Sequence, residues 1–411
     1  IKNDFNKYEN NNKKNQSPPK IQIKNNNYDN PPSKNSNIFN YNNSLNDLDV
    51  AQNIKEWGRE FEWDEDVRMC NLETFGYQKF RPIQKEIINA SLAGRDIFVC
   101  IPTGGGKSLT YQIPALVKDG VTLVVMPLLS LIKDQTTYLQ GCGVNVLFLN
   151  SDTLNNLDYD EKFNNLNEEN CRLIFLTPEK ISQSQRAMNL LIRLYNDNLL
   201  IRCVVDEAHC VSQWGREFRA DYLNLKIIKK TFPKLPILAL TATAPNNIRD
   251  DVIQQLRMKN TVFFKSSYNR TNLFIKIIKK DKDYVQKIAE YILRDHKGEC
   301  GLIYCQTKKQ CEQLSKELNQ KHKIKCKFYH ASLPENNKNK IQEDWKTDKI
   351  QIIIATVAFG MGINKSDVRF VIHNSMPSSF ESYYQEIGRA GRDGEKSECI
   401  LYYSPNDRKT T

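Results

Sequence analysis

The stretch Ile97 to Ile101 is unbroken apolar sequence, and Thr103-Gly104-Gly105-Gly106-Lys107-Ser108 follows it almost at once, opening a helix-like run from Ser108 to Val117. Strand, glycine turn and helix in that order leave few ways to fold. Three glycines let backbone N–H groups close around phosphate oxygens, and the helix N-terminus adds partial positive charge. In such a loop Lys107 reaches the distal phosphates and Ser108 ligates a divalent cation. The strict form of the motif has glycine where Ile101 stands, so this is a variant loop.

The same alternation continues on both sides of the loop. Val121 to Met126, Val144 to Leu149, Leu173 to Leu176, Cys203 to Val205 and Ile237 to Leu240 are short apolar runs, with helical patterns such as Leu128 to Leu139 between them. A second series holds Gly301 to Cys305, Lys325 to Tyr329, Ile352 to Ala355 and Arg369 to Ile372, separated by helical patterns at Lys308 to Leu318 and Asn337 to Trp345. Apolar strands between helices indicate parallel sheets covered on both faces. The fold class predicted is α/β, two tandem lobes, each a mostly parallel sheet covered by helices. Residues 53–268 form the first lobe and 269–411 the second, while the Asn/Lys-rich residues 1–52 bury too little to order themselves and read as a disordered tail.

Of the 411 residues, 59 are Lys or Arg and 48 are Asp or Glu; the net charge of +11 favours an anionic partner. Eleven scattered cysteines include no CxxC pair, which points to neither a disulfide framework nor zinc in this fragment, and several sit inside apolar runs as small hydrophobes. No apolar stretch is long enough to span a bilayer, the opening residues do not read as a signal peptide, and the expected setting is reducing and intracellular.

Three further strings complete a site. Asp206-Glu207-Ala208-His209 ends the strand Ile201 to Val205; a carboxylate at a strand tip holds Mg²⁺ and its neighbour orients and deprotonates water, so Asp206 takes the first role with Ser108 and Glu207 the second. Upstream, Gln84 has the donor and acceptor that match an adenine edge, and Tyr77 and Arg81 are placed to stack on the base. Near the other end, Gln385-Glu-Ile-Gly-Arg389-Ala-Gly-Arg392 offers two guanidiniums three residues apart. Arg392 is the stronger candidate for a finger on the terminal phosphate and Arg389 for a supporting contact.

Together these strings resemble the RecQ family of superfamily 2 DNA helicases, its Bloom-syndrome-type and plant members above all. The resemblance runs from about Trp57 to Asp407; its most specific segments are CVSQWGREFRADY (210–222), FGMGINKSDVRFVIH (359–373) and QEIGRAGRDG (385–394). It implies ATP and Mg²⁺ as cofactors, single-stranded and forked DNA as partners, a 3′-to-5′ motor, and a nuclear setting. It also implies a DNA-sensing aromatic loop with Trp214, Phe218 and Tyr222 interleaved with Arg216 and Arg219, backbone-gripping loops with Ser130, Thr177 and Thr356, and coupling through His209, Thr241, Thr243 and Gln385. Arg216 and Asn364 stand where the family usually has His and Asp, which bears on coupling. Family members continue into a zinc-binding module and a winged helix after the second lobe, so weak unwinding is expected of these residues alone. An RNA helicase, or a nucleic-acid-binding scaffold without catalysis, are the alternatives.

Overall fold

In the computed structural model the described residues are 50–155, 163–212, 219–242, 245–359, 365–405 and 407. Trp214, Arg216, Phe218, Thr243, Gly360 and Asn364 lie outside them. The described residues all fall in one compact unit.

Its first lobe is a seven-stranded sheet built from β1 (Ile97–Cys100), β2 (Val121–Val125), β3 (Val146–Phe148), β4 (Leu173–Leu176), β5 (Leu200–Val205), β6 (Ile237–Thr241) and β7 (Val262–Lys265). The order is β3-β4-β2-β5-β6-β1-β7 and every pairing is parallel. The second lobe holds β8 (Leu273–Lys279), β9 (Cys300–Tyr304), β10 (Cys326–Tyr329), β11 (Ile352–Ala355), β12 (Val368–His373) and β13 (Ser397–Tyr403) in the order β10-β11-β9-β12-β13-β8, again all parallel. The predicted α/β architecture of two parallel-sheet lobes is what the chain adopts.

Each sheet is buried on both faces. In β1, Phe98 enters one apolar layer, Ile97 and Val99 the other. In β9, Ile303 points one way, Leu302 and Tyr304 the opposite way. This explains why the strands read as continuous apolar runs rather than alternating ones. Three strands escaped the sequence reading. β7 is an edge strand in which buried and more exposed residues alternate, β13 opens with Ser-Glu, and β8 is an edge strand, exposed along most of its length, whose lysines interrupt the apolar run.

One carboxylate pins the strands that carry the loops. Asp96, just before β1, accepts hydrogen bonds from the backbone N–H of Ile237 (2.7 Å) and of Lys259 (2.7 Å) and pairs with the Lys229 ammonium at 2.8 Å. Its side chain is only 5% exposed, so the pair sits in a low-dielectric setting. The contacts fix the starts of β6 and β1 and the approach to β7, and so align the opposite ends of those strands. Removing one member of a buried pair strands the other charge, a loss of about 3–5 kcal/mol. Asp96→Ala is expected to lower unfolding stability by that amount in urea titrations followed by circular dichroism; an unchanged midpoint would show that the carboxylate does not set the register.

Candidate nucleotide site between the lobes

β5, β6 and β1 are adjacent and parallel, so their carboxyl ends open side by side. The loop after β1 carries Thr103–Ser108, the turn after β5 carries Asp206 and Glu207, and β6 ends in Thr241. Ligands of such sheets collect at that edge. There a cleft of about 770 Å³ is lined by Tyr77, Arg81, Gln84, Thr103, Gly104, Gly106, Lys107, Ser108, Asp206 and Glu207 from the first lobe, and by Gln385, Arg389 and Arg392 from the second.

The loop is held from several directions. Gln84, at the start of the helix Gln84–Leu92, donates its Nε2 to Gly106 O (2.9 Å), and its Oε1 accepts from Arg81 N (2.7 Å). Arg81 donates to Gly104 O and, at 2.9 Å, to Arg392 O across the lobes. Lys107 Nζ donates to Ile101 O at 3.2 Å. Gly104 has φ +79°, and a Cβ there would stand 3.0 Å from Arg392 Cγ, while one on Gly388 of the second lobe would stand 3.4 Å from Thr103 Cβ, so the lobes approach where neither of these residues has a side chain to obstruct them.

The acidic turn is strained. Glu207 sits in the left-handed region at φ 49°, and Ile83, before Gln84, at φ 64°, conformations that non-glycine residues adopt only when their surroundings enforce them. Around Glu207 those surroundings are Asp206 Oδ1, which accepts from Glu207 N (3.0 Å), and the Tyr222 hydroxyl, which donates to Asp206 O (3.0 Å). Burial, then the neighbouring Glu207, push the Asp206 carboxyl up to about 6, against the pull of Lys107. Burial, then the nearby Arg389, push the Arg392 guanidinium down to about 9. Carboxylates and cations gathered in one cleft, Lys107, Asp206 and Glu207 from the first lobe and Arg389 and Arg392 from the second, suit a ligand that carries both phosphates and a divalent cation.

The remaining expected residues fall into distinct places. His209 Nδ1 and Thr241 Oγ1 share a hydrogen bond of 2.9 Å, joining the acidic turn to the end of β6. Arg219 donates to Pro127 O (2.9 Å), beside the exposed Ser130. Thr177 is buried at the start of the helix Pro178–Gln183, and Thr356 is partly exposed after β11. Gln385, grouped from its motif with DNA contacts and coupling, lines the nucleotide cleft. Gln84 is 3% exposed with both ends of its amide on backbone groups; in this geometry it braces the phosphate loop. His330 and His373 are buried, facing Glu312 (3.1 Å) and Glu386 (2.7 Å).

Sequence reasoning missed a second set. Leu131, Asp134, Gln135 and Tyr138 line the cleft from the helix Leu129–Gly141. Their 3-4-7 spacing places them on one helix face and was a readable signal. Asp134 also pairs with Lys346 of the second lobe at 2.9 Å. Arg270 and Asn272, between β7 and β8, gave no such signal. Among the described residues no group of His, Cys, Asp and Glu is arranged to hold a metal by itself, and no helix is long and apolar enough to cross a membrane. All eleven cysteines are free thiols, buried except for the partly exposed Cys70 and Cys142.

Comparison with known proteins matches residues 81–251 to the family described as DEAD/DEAH box helicase and residues 283–394 to that described as helicase conserved C-terminal domain. Among solved structures, the helicase MrfA bound to DNA superposes with a TM-score of 0.67 at 15% identity over 85% of this chain and 50% of its own. Dbp5 of S. cerevisiae, bound to RNA and ADP BeF3, gives 0.61 at 17% identity over 87% and 90%. At those identities the likeness is one of fold. The fold is the two-lobe, RecA-like arrangement of those helicases.

In sequence the chain shows strong homology to RecQ-family helicases. It is 46% identical over 359 residues to ATP-dependent DNA helicase Q-like 2 of Arabidopsis thaliana, covering 86% of this chain and 51% of that protein. It is 44% identical over 367 residues to ATP-dependent DNA helicase Q1 of Mus musculus (88% and 56%) and 44% over 374 residues to ATP-dependent helicase SGS1 of Saccharomyces cerevisiae (89% and 26%). The chain spans between 26% and 59% of the length of these and similar curated relatives.

The raised Asp206 carboxyl sets a pH dependence. Held up to about 6, it keeps its proton between about pH 4 and 6, where an unfolded aspartate has lost it. Stability from this group is therefore greatest below that window and falls as pH rises through it. Asp206→Asn removes the penalty. In urea titrations with EDTA the variant is expected to exceed the parent by roughly 1 kcal/mol at pH 8, a figure reduced because the side chain lines an open cleft, with the gap closing near pH 4. A gap that does not vary with pH would contradict the shifted carboxyl.

Proposed function

We propose that this chain is an ATP-driven motor that moves 3′-to-5′ along single-stranded DNA and unwinds duplex DNA, in a nuclear setting of recombination, repair or replication. The observation that carries the reading is the pair Arg389 and Arg392, nearly three hundred residues from Lys107 in sequence, lining one cleft with Lys107, Asp206 and Glu207. Guanidiniums on one lobe and a phosphate loop on the other make a nucleoside triphosphate the ligand that draws the lobes together.

In this reading the Thr103–Ser108 backbone and Lys107 hold the β and γ phosphates, and Tyr77 and Arg81 flank the base. Glu207 orients the attacking water and takes its proton, with His209 at 3.4 Å from its Oε2 and bonded in turn to Thr241. Arg392 and Arg389 stabilise charge that develops on the transferred group; fingers of this kind contribute about 10³–10⁵ in rate. Ser108 and Asp206 suit a magnesium ion: both offer oxygen, and the raised Asp206 carboxyl is one that a divalent cation would return to its ionised form. Bound there, the ion neutralises phosphate charge. Thr241 and His209 relay the state of the acidic turn to the end of β6. Ser130, Thr356 and the flank of the Trp214 loop at Arg219 meet the DNA backbone, contacts that carry position and no sequence information.

ATP turnover with and without oligo-dT tests the reading. Single-stranded DNA is expected to stimulate the parent chain, RNA of the same length less so. Lys107→Ala should abolish turnover, and Arg392→Ala should lower kcat by about 10³-fold or more with KM changed only a few-fold. Full turnover in Arg392→Ala would sink the motor mechanism, and equal stimulation by RNA would redirect it to another nucleic acid. Tailed duplexes with 3′ or 5′ overhangs decide the polarity.

A further inference from the structure

None of these roles uses the segment that joins the lobes, yet it is bonded to both of them. Arg270 Nη1 donates to Gly388 O (3.2 Å) in the second lobe and lies 3.4 Å from Thr103 O in the first; its Nη2 donates to Ala390 O (3.1 Å) and to Gly391 O. Two residues on, Asn272 Nδ2 donates to Gly391 O (3.0 Å) and Glu395 O (2.9 Å). Gly391 is at φ +54°, and a Cβ on it would come within 2.5 Å of that Asn272 nitrogen. On the other side of the segment, the Tyr384 hydroxyl donates to Tyr268 O, and the Tyr268 hydroxyl meets Cys100 Sγ at 2.8 Å. The end of β1, the phosphate loop and the helix Phe380–Ile387 are thus fastened to the same seven residues, 266–272.

The acceptors of Arg270 are the carbonyls of the turn that carries Arg389 and leads into Arg392. A helix C-terminus and the turn after it expose carbonyls with partial negative charge and no intrahelical donor. One planar guanidinium spans several such oxygens at once; an ammonium, a point donor on a flexible stem, does not. The arrangement opposes simple electrostatics, because burial pushes this guanidinium's pKa down and the nearby Arg81 adds to the effect. It also stands 3.2 Å from where a Cβ on Gly104 would be, against the phosphate loop itself. A cation whose only task was to brace a linker would have no reason to sit there.

We propose that Arg270 is a positioning residue for phosphoryl transfer: it holds the 388–391 turn against the phosphate loop, so that Arg389 and Arg392 meet the terminal phosphate in register. The inference rests on the nucleotide reading of the cleft and deepens it. It assigns to the inter-lobe connection the geometric precision that the arginine fingers need, since a displacement of about 1 Å at a reacting group is worth about 10²-fold in rate.

The test compares the parent chain with Arg270→Ala, Arg270→Lys and Arg392→Ala in oligo-dT-stimulated ATP turnover, beside the affinity for a fluorescent ADP and the melting temperature. Arg270→Ala is expected to lose about 10- to 100-fold in kcat, with KM and ADP affinity within about three-fold of the parent. Arg270→Lys keeps the charge without the span and should recover only part of the loss. Parent-like kcat in Arg270→Ala while Arg392→Ala is inactive would overturn this inference and leave the motor reading standing. Equal losses of kcat, ADP affinity and melting temperature in both Arg270 variants would mark a purely structural residue and overturn it too. If Arg270→Ala does not fold, Arg270→Lys decides, and parent-like kcat in that variant refutes the role. A parent chain without turnover, or one indifferent to Lys107→Ala, would bring down the nucleotide reading and this inference with it.

Discussion

The structure depends on strand direction. Because β5, β6 and β1 run parallel and side by side, three loops distant in sequence are obliged to open at one sheet edge, and everything chemical in the first lobe follows from that. Burial of both sheet faces makes the direction costly to change, since a reversed or slipped strand would carry apolar side chains out of two layers at once. Asp96 secures the far ends of the same strands with two backbone hydrogen bonds and an ion pair. The near ends are thereby free to carry residues chosen for chemistry.

Stability is given up at those near ends. Glu207 and Ile83 hold left-handed conformations that cost about 1–3 kcal/mol each in residues with a Cβ. Asp206 is a carboxyl in surroundings that resist its ionisation, and Arg392 a buried cation beside other cations. None of these helps the chain fold.

Much of this was legible in the residues. The strand–glycine–helix run, the acidic pair after an apolar strand and the paired arginines all announce their chemistry through local spacing, and the cleft gathers them. Where the fold adds to reading by residue type, long-range partners are responsible. Gln84 looks like a base reader because its amide is bifunctional, yet in the folded chain both ends engage the backbone of Gly106 and Arg81. Gln385, grouped by its motif with coupling, lines the cleft between the lobes. The edge strand β8 hid behind interspersed lysines, and the cleft-lining face of Leu129–Gly141 was overlooked although its spacing was in view.

The amino-acid sequence by itself determined that there are two parallel α/β lobes and which residue types carry phosphate, acid and guanidinium chemistry, because periodicity and short motifs are local properties of a chain. Only the tertiary structure decided that Arg81 reaches the carbonyl of Arg392 and that Arg270 stands between Thr103 and the turn at Gly388–Gly391. Those contacts join residues more than a hundred positions apart through backbone carbonyls, which every residue possesses, and so no side-chain pattern could have disclosed them.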